Sequence, residues 1–255
     1  SVRIAIGKVE LGQGMYPLRG AIARLIGLEE SQVRCIHMEA SGCYGQNGAD
    51  DAACDAAAIA MQLPGQAIKL QWSRADEFRW EPYGAAMAIE LNPGLNSEGR
   101  VVDWKCELWS CPHSTRPWGG KGAGHTLYAR HRKDSIAQPA ARSIPPPSGG
   151  GDRNSVPLYQ FQNMEVTKHL VTEMPIRVSA LRSLGAFANI FAIESFMDEL
   201  ALHNSADPFD FRITHLGDSR AIAVLEKLHE ISSWPQRPTA GNGNGWGIGF
   251  ACYEN

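Results

Sequence analysis

The run Gly42-Cys43-Tyr44-Gly45-Gln46-Asn47-Gly48-Ala49-Asp50-Asp51 holds glycines, a thiol, a phenol, two carboxamides and two carboxylates side by side. Glycine accepts positive φ and lets a ligand approach the backbone closely. The run stands between a candidate strand, Val33 to Met38, and an alanine-rich helix from Ala49. The unpaired N–H groups and dipole at the start of such a helix favour an anion, so a phosphate or pyrophosphate is the natural guest. A strand-to-helix turn with no ligand fits the same residues. Asp50 and Asp51 fall in the first helical turn, where negative charge complements the dipole, a structural role rather than a catalytic one. Cys43 can face a ligand, but no base stands beside it in sequence.

Elsewhere the chemistry-bearing residues form few patterns. The cysteines at 35, 43, 54, 106, 111 and 252 contain no Cys-x-x-Cys pair, which argues against an iron–sulfur cluster in this chain. Cys35 and Cys54 lie in apolar patterns and read as small core residues. The histidines show no His-Glu-x-x-His or similar spacing, so a protein-ligated metal is not expected. A net charge of −3 gives no electrostatic case for nucleic acid or an anionic membrane. No apolar run approaches the roughly 20 residues that span a bilayer.

The elements that must position these residues follow from periodicity. Val2 to Ile6 alternates as a strand, and Leu18 to Leu28 carries apolar residues at helical spacing after Pro17. Strand Val33 to Met38, helix Ala49 to Leu63 closed by Pro64-Gly65, and strand Ala67 to Trp72 follow as one βαβ-like unit. Ala85 to Leu91 and Arg100 to Ser110 predict a β-hairpin around Asn96 to Gly99. From Cys111 to Asp152 the chain turns to Pro, Gly, Ser and basic residues with no sustained period. A loop of that length is functional or disordered. There, His113, Arg116 and Trp118 line a substrate funnel or belong to an excursion covering a neighbouring subunit or domain. Met164 to Val171 reads as a strand and Ala186 to His203 as a helix whose Glu194, Asp198 and Glu199 form a solvated or capping face. Asp218 to Ile231 is a further helix, residues 235–245 a Pro/Gly/Asn linker, and Trp246 to Tyr253 a strand.

Three stretches together resemble the large subunit of molybdenum hydroxylases, the xanthine dehydrogenase and aldehyde oxidase family. The first is Leu18 to Leu28, then Val33 to Met38, leading into the Gly42 turn. The second is Ala180-Leu-Arg-Ser-Leu-Gly185, similar to that family's Arg-Gly-X-Gly loop. The third is the long helix from Phe191 to Leu200 with the Asp207-Pro-Phe-Asp-Phe-Arg212 turn and His215-Leu216. With Gly149-Gly-Gly-Asp-Arg-Asn154, the similarity is closest to the isoquinoline oxidoreductase and nicotinate dehydrogenase branch and covers nearly the whole chain.

The resemblance implies a mixed α/β fold, an incomplete molybdopterin-binding region. Residues 1–233 would form a first domain with the long loop at 112–152, 234–245 a linker, and 246–255 the opening strand of a second domain. It implies molybdenum held by the dithiolene of a pterin, in the cytosine dinucleotide form, so the metal needs no protein ligand. A glutamate acts as general base on water-derived oxygen that attacks an N-heteroaromatic ring or an aldehyde. Electrons leave through iron–sulfur clusters on a small partner subunit, with a cytochrome or flavin subunit as a further partner. Gly42, Cys43, Tyr44 and Gly45 match the cofactor-contacting turn, and Arg182 the arginine beside it. Gln13, in Gly7-Lys-Val-Glu-Leu-Gly-Gln-Gly14, resembles a second cofactor segment that in the family stands well apart from the Leu18 to Gly48 stretch. An internal junction near Gly14 and a plain turn are the two readings of it. Leu184 occupies a substrate-clamp position that is aromatic in purine hydroxylases, and Gln46 and Asn47 replace the usual Gly-Lys or Gly-Arg. Arg153 is a candidate substrate-facing cation or a surface arginine. The Gly-x-Gly-Glu motif of the catalytic base does not occur after residue 42, so that base is expected beyond residue 255 and the isolated chain is expected to be inactive. Two rival readings remain: a nicotinamide- or flavin-dependent oxidoreductase using the Gly42 turn, and a non-catalytic cofactor-binding or subunit-interface fragment.

Overall fold

The computed structural model describes residues 1–7, 15–40, 44–46, 49–117, 119–145, 149–238, 241, 243 and 245–252, with backbone alone for 15–17. Along it run β1 (Val2–Gly7), α1 (Met15–Ile26), β2 (Val33–Met38), α2 (Ala49–Gln62), α3 (Arg74–Trp80), β3 (Tyr83–Gly84), β4 (Met87–Leu95), β5 (Val101–Ser110), α4 (Leu127–His131), β6 (Asn163–Leu170), β7 (Val178–Ser179), α5 (Ala186–His203), α6 (Pro208–His215) and α7 (Ser219–Ile231). Residues 1–85, 111–144 and 171–182 form one compact unit, and residues 86–110, 145–170 and 183–255 another. No helix among the described residues is long and apolar enough to cross a membrane.

In the first unit β1 and β2 pair in parallel, Val2 opposite Val33 through Gly7 opposite Met38, with α1 as their connection. Leu18, Ala21, Ile22 and Leu25 recur at the spacing of one helix face, and all four are buried. Burying each of the larger three contributes about 1.5–3 kcal/mol. The helix stops at Ile26 because Gly27 takes φ +72° and Leu28 N–H reaches back to the Ala23 carbonyl at 3.0 Å. Small residues Ala53, Cys54 and Ala57 of α2 join the same core. Burial raises the thiol of Cys54 well above its ordinary range, in keeping with an inert core position.

Two expectations for this unit need correcting. Residues 67–72 keep the alternation of a strand in their exposure, but they form no ladder with any described residue. An alternating pattern specifies a half-covered extended segment; a strand also needs a partner edge, which periodicity cannot supply. Helix α3 was not anticipated. It begins at a capping box in which Asp76 N–H donates to Ser73 Oγ at 3.2 Å and Ser73 N–H donates to Asp76 Oδ2 at 2.9 Å. The long stretch from Cys111 is also less irregular than composition suggests, since Gly120–His125 winds as a 3-10 helix and α4 follows.

The second unit is built on the expected hairpin. β4 and β5 pair antiparallel, and β6 adds to β5 in parallel, giving the order β4-β5-β6. Asn96 Oδ1 accepts from Glu98 and Arg100 N–H, and Gly99 takes φ +76°, which closes the turn. β5 alternates cleanly, so Trp104, Cys106 and Leu108 share a buried core with Ile193, Met197, Leu200 and Ala201 of α5. Helix α5 spans the expected residues.

Its acidic face does not behave as expected. Glu194 is buried, and its carboxylate accepts from Arg212 Nε at 2.9 Å and from Tyr159 Oη at 3.0 Å. Asp198, one turn on, binds Arg212 Nη1 at 2.6 Å. Arg212 itself is fully buried, so these acids serve an internal guanidinium; only Glu199 stays exposed. The Asp207 to Arg212 segment is a helix start rather than a turn: Asp207 caps α6 by accepting Phe209 N–H at 2.8 Å, with Pro208 at the first position. Residues 246–252 form no strand. Ile248 is buried in the core and Phe250 N–H donates to Glu194, so packing against α5 replaces the ladder.

Candidate functional site

The glycine turn and the arginine loop, more than 130 positions apart, meet in the first unit. Gly45 and Leu181 form an antiparallel bridge. Gln46 N–H donates to the Ala180 carbonyl at 2.9 Å, and Arg182 N–H donates to the Tyr44 carbonyl at 2.7 Å. Gly45 holds φ +131°, and a Cβ there would collide with the Ala180 carbonyl and the Leu181 backbone. Only glycine permits this approach. Tyr44 is 67% exposed, and the Arg182 guanidinium lies 5.9 Å from its ring centroid. The bridge therefore presents an exposed aromatic ring and an exposed cation side by side.

Gln46 is 3% exposed, yet neither its Nε2 nor its Oε1 has a partner among the described residues. A buried amide with both ends unmet costs about 1–3 kcal/mol per group. Its burial was not legible in sequence, where the position stood out only as a departure from the family's glycine.

Behind the turn, Asp51 is fully buried and forms a forked ion pair with Arg177, Oδ1 to Nη1 at 2.8 Å and Oδ2 to Nη2 at 2.7 Å. Asp51 also accepts Leu127 N–H at 2.8 Å, while Arg177 donates to the carbonyls of His125 and Trp80. The dipole reading of Asp51 thus captures only part of its role. One turn along α2, burial and the charge of Asp51 push the carboxyl of Asp55 up to about 6, against the pull of Arg177 and a hydrogen bond from Trp72. Burial and the charges of Arg130, Arg142 and Arg177 push His125 down to about 4. His113 is buried and Arg116 half-buried. Between them, Thr115 Oγ1 donates to the Val178 carbonyl.

The remaining candidates belong to the second unit. Ser183 and Leu184 hold φ +78° and +55°, a strained conformation for side-chain-bearing residues. Gly185 N–H donates to the Gly150 carbonyl at 3.0 Å, and a Cβ at Gly185 would strike the Gly151 carbonyl. Asn189, buried on the first turns of α5, donates through Nδ2 to the carbonyls of Gly151 at 2.7 Å and Arg153 at 2.8 Å. The Gly149 to Asn154 loop is thereby fixed to the start of α5, with Arg153 and Leu184 each half-buried. Asn189 carried no recognisable signal in sequence. Gln13, Gly42, Cys43 and Trp118 lie outside the described residues.

The dinucleotide-loop rival requires a further parallel strand after α2, and the residues there form none. Residues 9–114 match the molybdopterin cofactor-binding domain. A nicotinate dehydrogenase subunit of Pseudomonas putida is 35% identical over 224 residues, which is 87% of this chain and 17% of that protein. The isoquinoline 1-oxidoreductase beta subunit of Brevundimonas diminuta is 27% identical over 241 residues, 93% of this chain and 28% of that protein. Among solved structures, the aldehyde oxidoreductase of Desulfovibrio gigas shares the fold with a TM-score of 0.62 at 16% identity, over 91% of this chain and 24% of that one. The class so defined is a mixed helix-and-sheet cofactor-binding region, spanning a minor part of the length of the proteins it matches. Residues 9–114 thus carry a molybdopterin cofactor-binding domain, and along most of its length the chain is similar to part of these dehydrogenase and oxidoreductase subunits.

Proposed function

We propose that this chain supplies one wall of the molybdopterin site in an oxidoreductase that hydroxylates an N-heteroaromatic compound or oxidises an aldehyde with oxygen drawn from water. The observation that carries the reading is the bridge between Tyr44–Gln46 and Ala180–Arg182. It sets an exposed cation beside an exposed ring, next to a buried amide that has neither donor nor acceptor among the described residues. A pterin carries both kinds of group, and its phosphate suits a cation, so the residues fit it.

When bound, the group supplies the metal-centred oxygen and two-electron chemistry. The chain's share is to hold and orient it. The Gly45 backbone, with Gly42 and Cys43 preceding it and Gln13 from the N-terminal segment, approaches the pterin. Tyr44 covers it, Arg182 neutralises negative charge, and Gln46 satisfies polar edges. On the second unit, Leu184 and Arg153 are the proposed substrate contacts, an apolar side chain for a ring face and a cation for an anionic substituent. In this reading the cofactor is the cytosine dinucleotide form, and electrons pass to an iron–sulfur partner, then to a cytochrome or flavin partner.

Metal and pterin analysis tests this, on the chain produced alone and with a co-expressed iron–sulfur subunit in a host that makes the dinucleotide cofactor. Molybdenum and pterin at one per chain is the expected result. Absence of both from each preparation would overturn it.

A further inference from the structure

We propose that the Asp51–Arg177 ion pair is a positioning device that sets the register between the glycine turn and the 180–182 ribbon, and through it the placement of Tyr44 and Arg182. The functional meaning of this lock rests on the molybdopterin reading above; the lock itself does not.

The two segments run antiparallel and are fastened at both ends. At one end Gly45 lies opposite Leu181, with Gln46 N–H donating to the Ala180 carbonyl and Arg182 N–H to the Tyr44 carbonyl. At the other, five residues beyond Gln46, Asp51 grips Arg177, three residues before Ala180. The bridge is short: Tyr44, Leu181 and Arg182 are exposed, and only Gln46 and Ala180 of its residues are buried. A pairing of so few residues has no extended ladder to hold its register; the close fit of Gly45 against the Ala180 carbonyl resists a slip at one point, and the two segments need a second fixed point to be set along their length. The fork at Arg177 supplies what the bridge lacks. Each terminal guanidinium nitrogen meets one carboxylate oxygen, a paired geometry that tolerates little relative displacement.

Arg177 is itself anchored from several directions. It donates to the Trp80 and His125 carbonyls, and its own carbonyl accepts Tyr83 N–H at 2.9 Å, at the start of the β3–β7 pair. Ser179 Oγ then donates to the Thr115 carbonyl at 3.1 Å. The ribbon from 177 to 182 thus passes from a rigid, buried clamp to an exposed end that holds Tyr44. A buried ion pair is a poor source of stability, while its use in fixing register is well attested.

The test is backbone hydrogen exchange on the 255-residue chain without cofactor, comparing wild type with Asp51→Asn, Arg177→Met and the milder Arg177→Lys. In the first two, exchange at the Gln46 and Arg182 amides is expected to rise at least tenfold, while the Ile22 and Leu25 amides of α1 stay within twofold. Arg177→Lys keeps the charge but not the fork, and is expected to fall between; it preserves the test if the other variants fail to fold. Unchanged exchange at Gln46 and Arg182, or an equal rise at α1, would overturn the proposal. Because the readout needs no cofactor, failure of the molybdopterin reading would show separately, as a wild-type chain with the expected exchange pattern and no bound pterin.

Discussion

Asp55 shows how burial, with a buried charge beside it, changes a residue's chemistry. Its carboxyl titrates at about 6 in the folded chain against 3.8 for an unperturbed aspartate, chiefly from burial and then from Asp51. A folded value raised above the unfolded one means that the native state binds the extra proton. The contribution to stability is therefore complete below pH 3.8 and is lost as pH rises through about 6. Asp55→Asn should gain on wild type across that window and lead it by about 1–2 kcal/mol above pH 7, a figure discounted for partial exposure. Urea titrations of both proteins from pH 4 to 8 check this; parallel stability curves would refute it. His125, held near 4 in the same region, loses stability in the opposite direction on acidification, so the comparison must be between variant and wild type.

At the scale of elements, the union of α5 and α6 depends on Arg212. Its guanidinium is fully buried and bonds Glu194, Asp198 and the carbonyls of Glu194 and Pro208. His215, on the last turn of α6, binds both the Phe211 carbonyl and Val101 N–H, which joins α6 to β5. Removing the cation leaves Glu194 charged or protonated in an apolar setting with burial already pushing its carboxyl up. Arg212→Met is expected to destabilise the second unit by about 3–5 kcal/mol, read as a fall in urea midpoint followed by β5 amide exchange. A loss below about 1 kcal/mol would mean that the network carries little.

For the molecule as a whole, a group that binds only the folded chain must stabilise it by mass action. If the Tyr44–Arg182 bridge is the receiving surface, wild type should gain about 2.7 kcal/mol at a cofactor concentration of about 100 times Kd. Gly45→Ala, which places a methyl group against the Ala180 carbonyl, should lower the stability of the free chain by about 3 kcal/mol and abolish that gain. Thermal melts with and without cofactor separate the two effects, and an equal cofactor-induced shift in both proteins would place the binding surface elsewhere.

What the sequence determined by itself was local. Apolar spacing over Leu18 to Leu25, alternation in Val33 to Met38 and β5, and the helical spacing of apolar residues over the 18 residues of α5 are short-range patterns, and each yielded its element. The stretches around Gly42, Arg182 and Asp207, taken together, pointed to the cofactor-binding domain that residues 9–114 match. Partnership was decided only by the tertiary structure. Nothing local distinguishes the alternation of residues 67–72, which has no ladder, from that of β5, which has two. Asp51 and Glu194 read as solvent-facing or dipole-complementing acids because the arginines that meet them lie 126 and 18 residues away. A carboxylate's environment is set by which charges the fold brings within a few ångströms, and that distance is not a function of position along the chain.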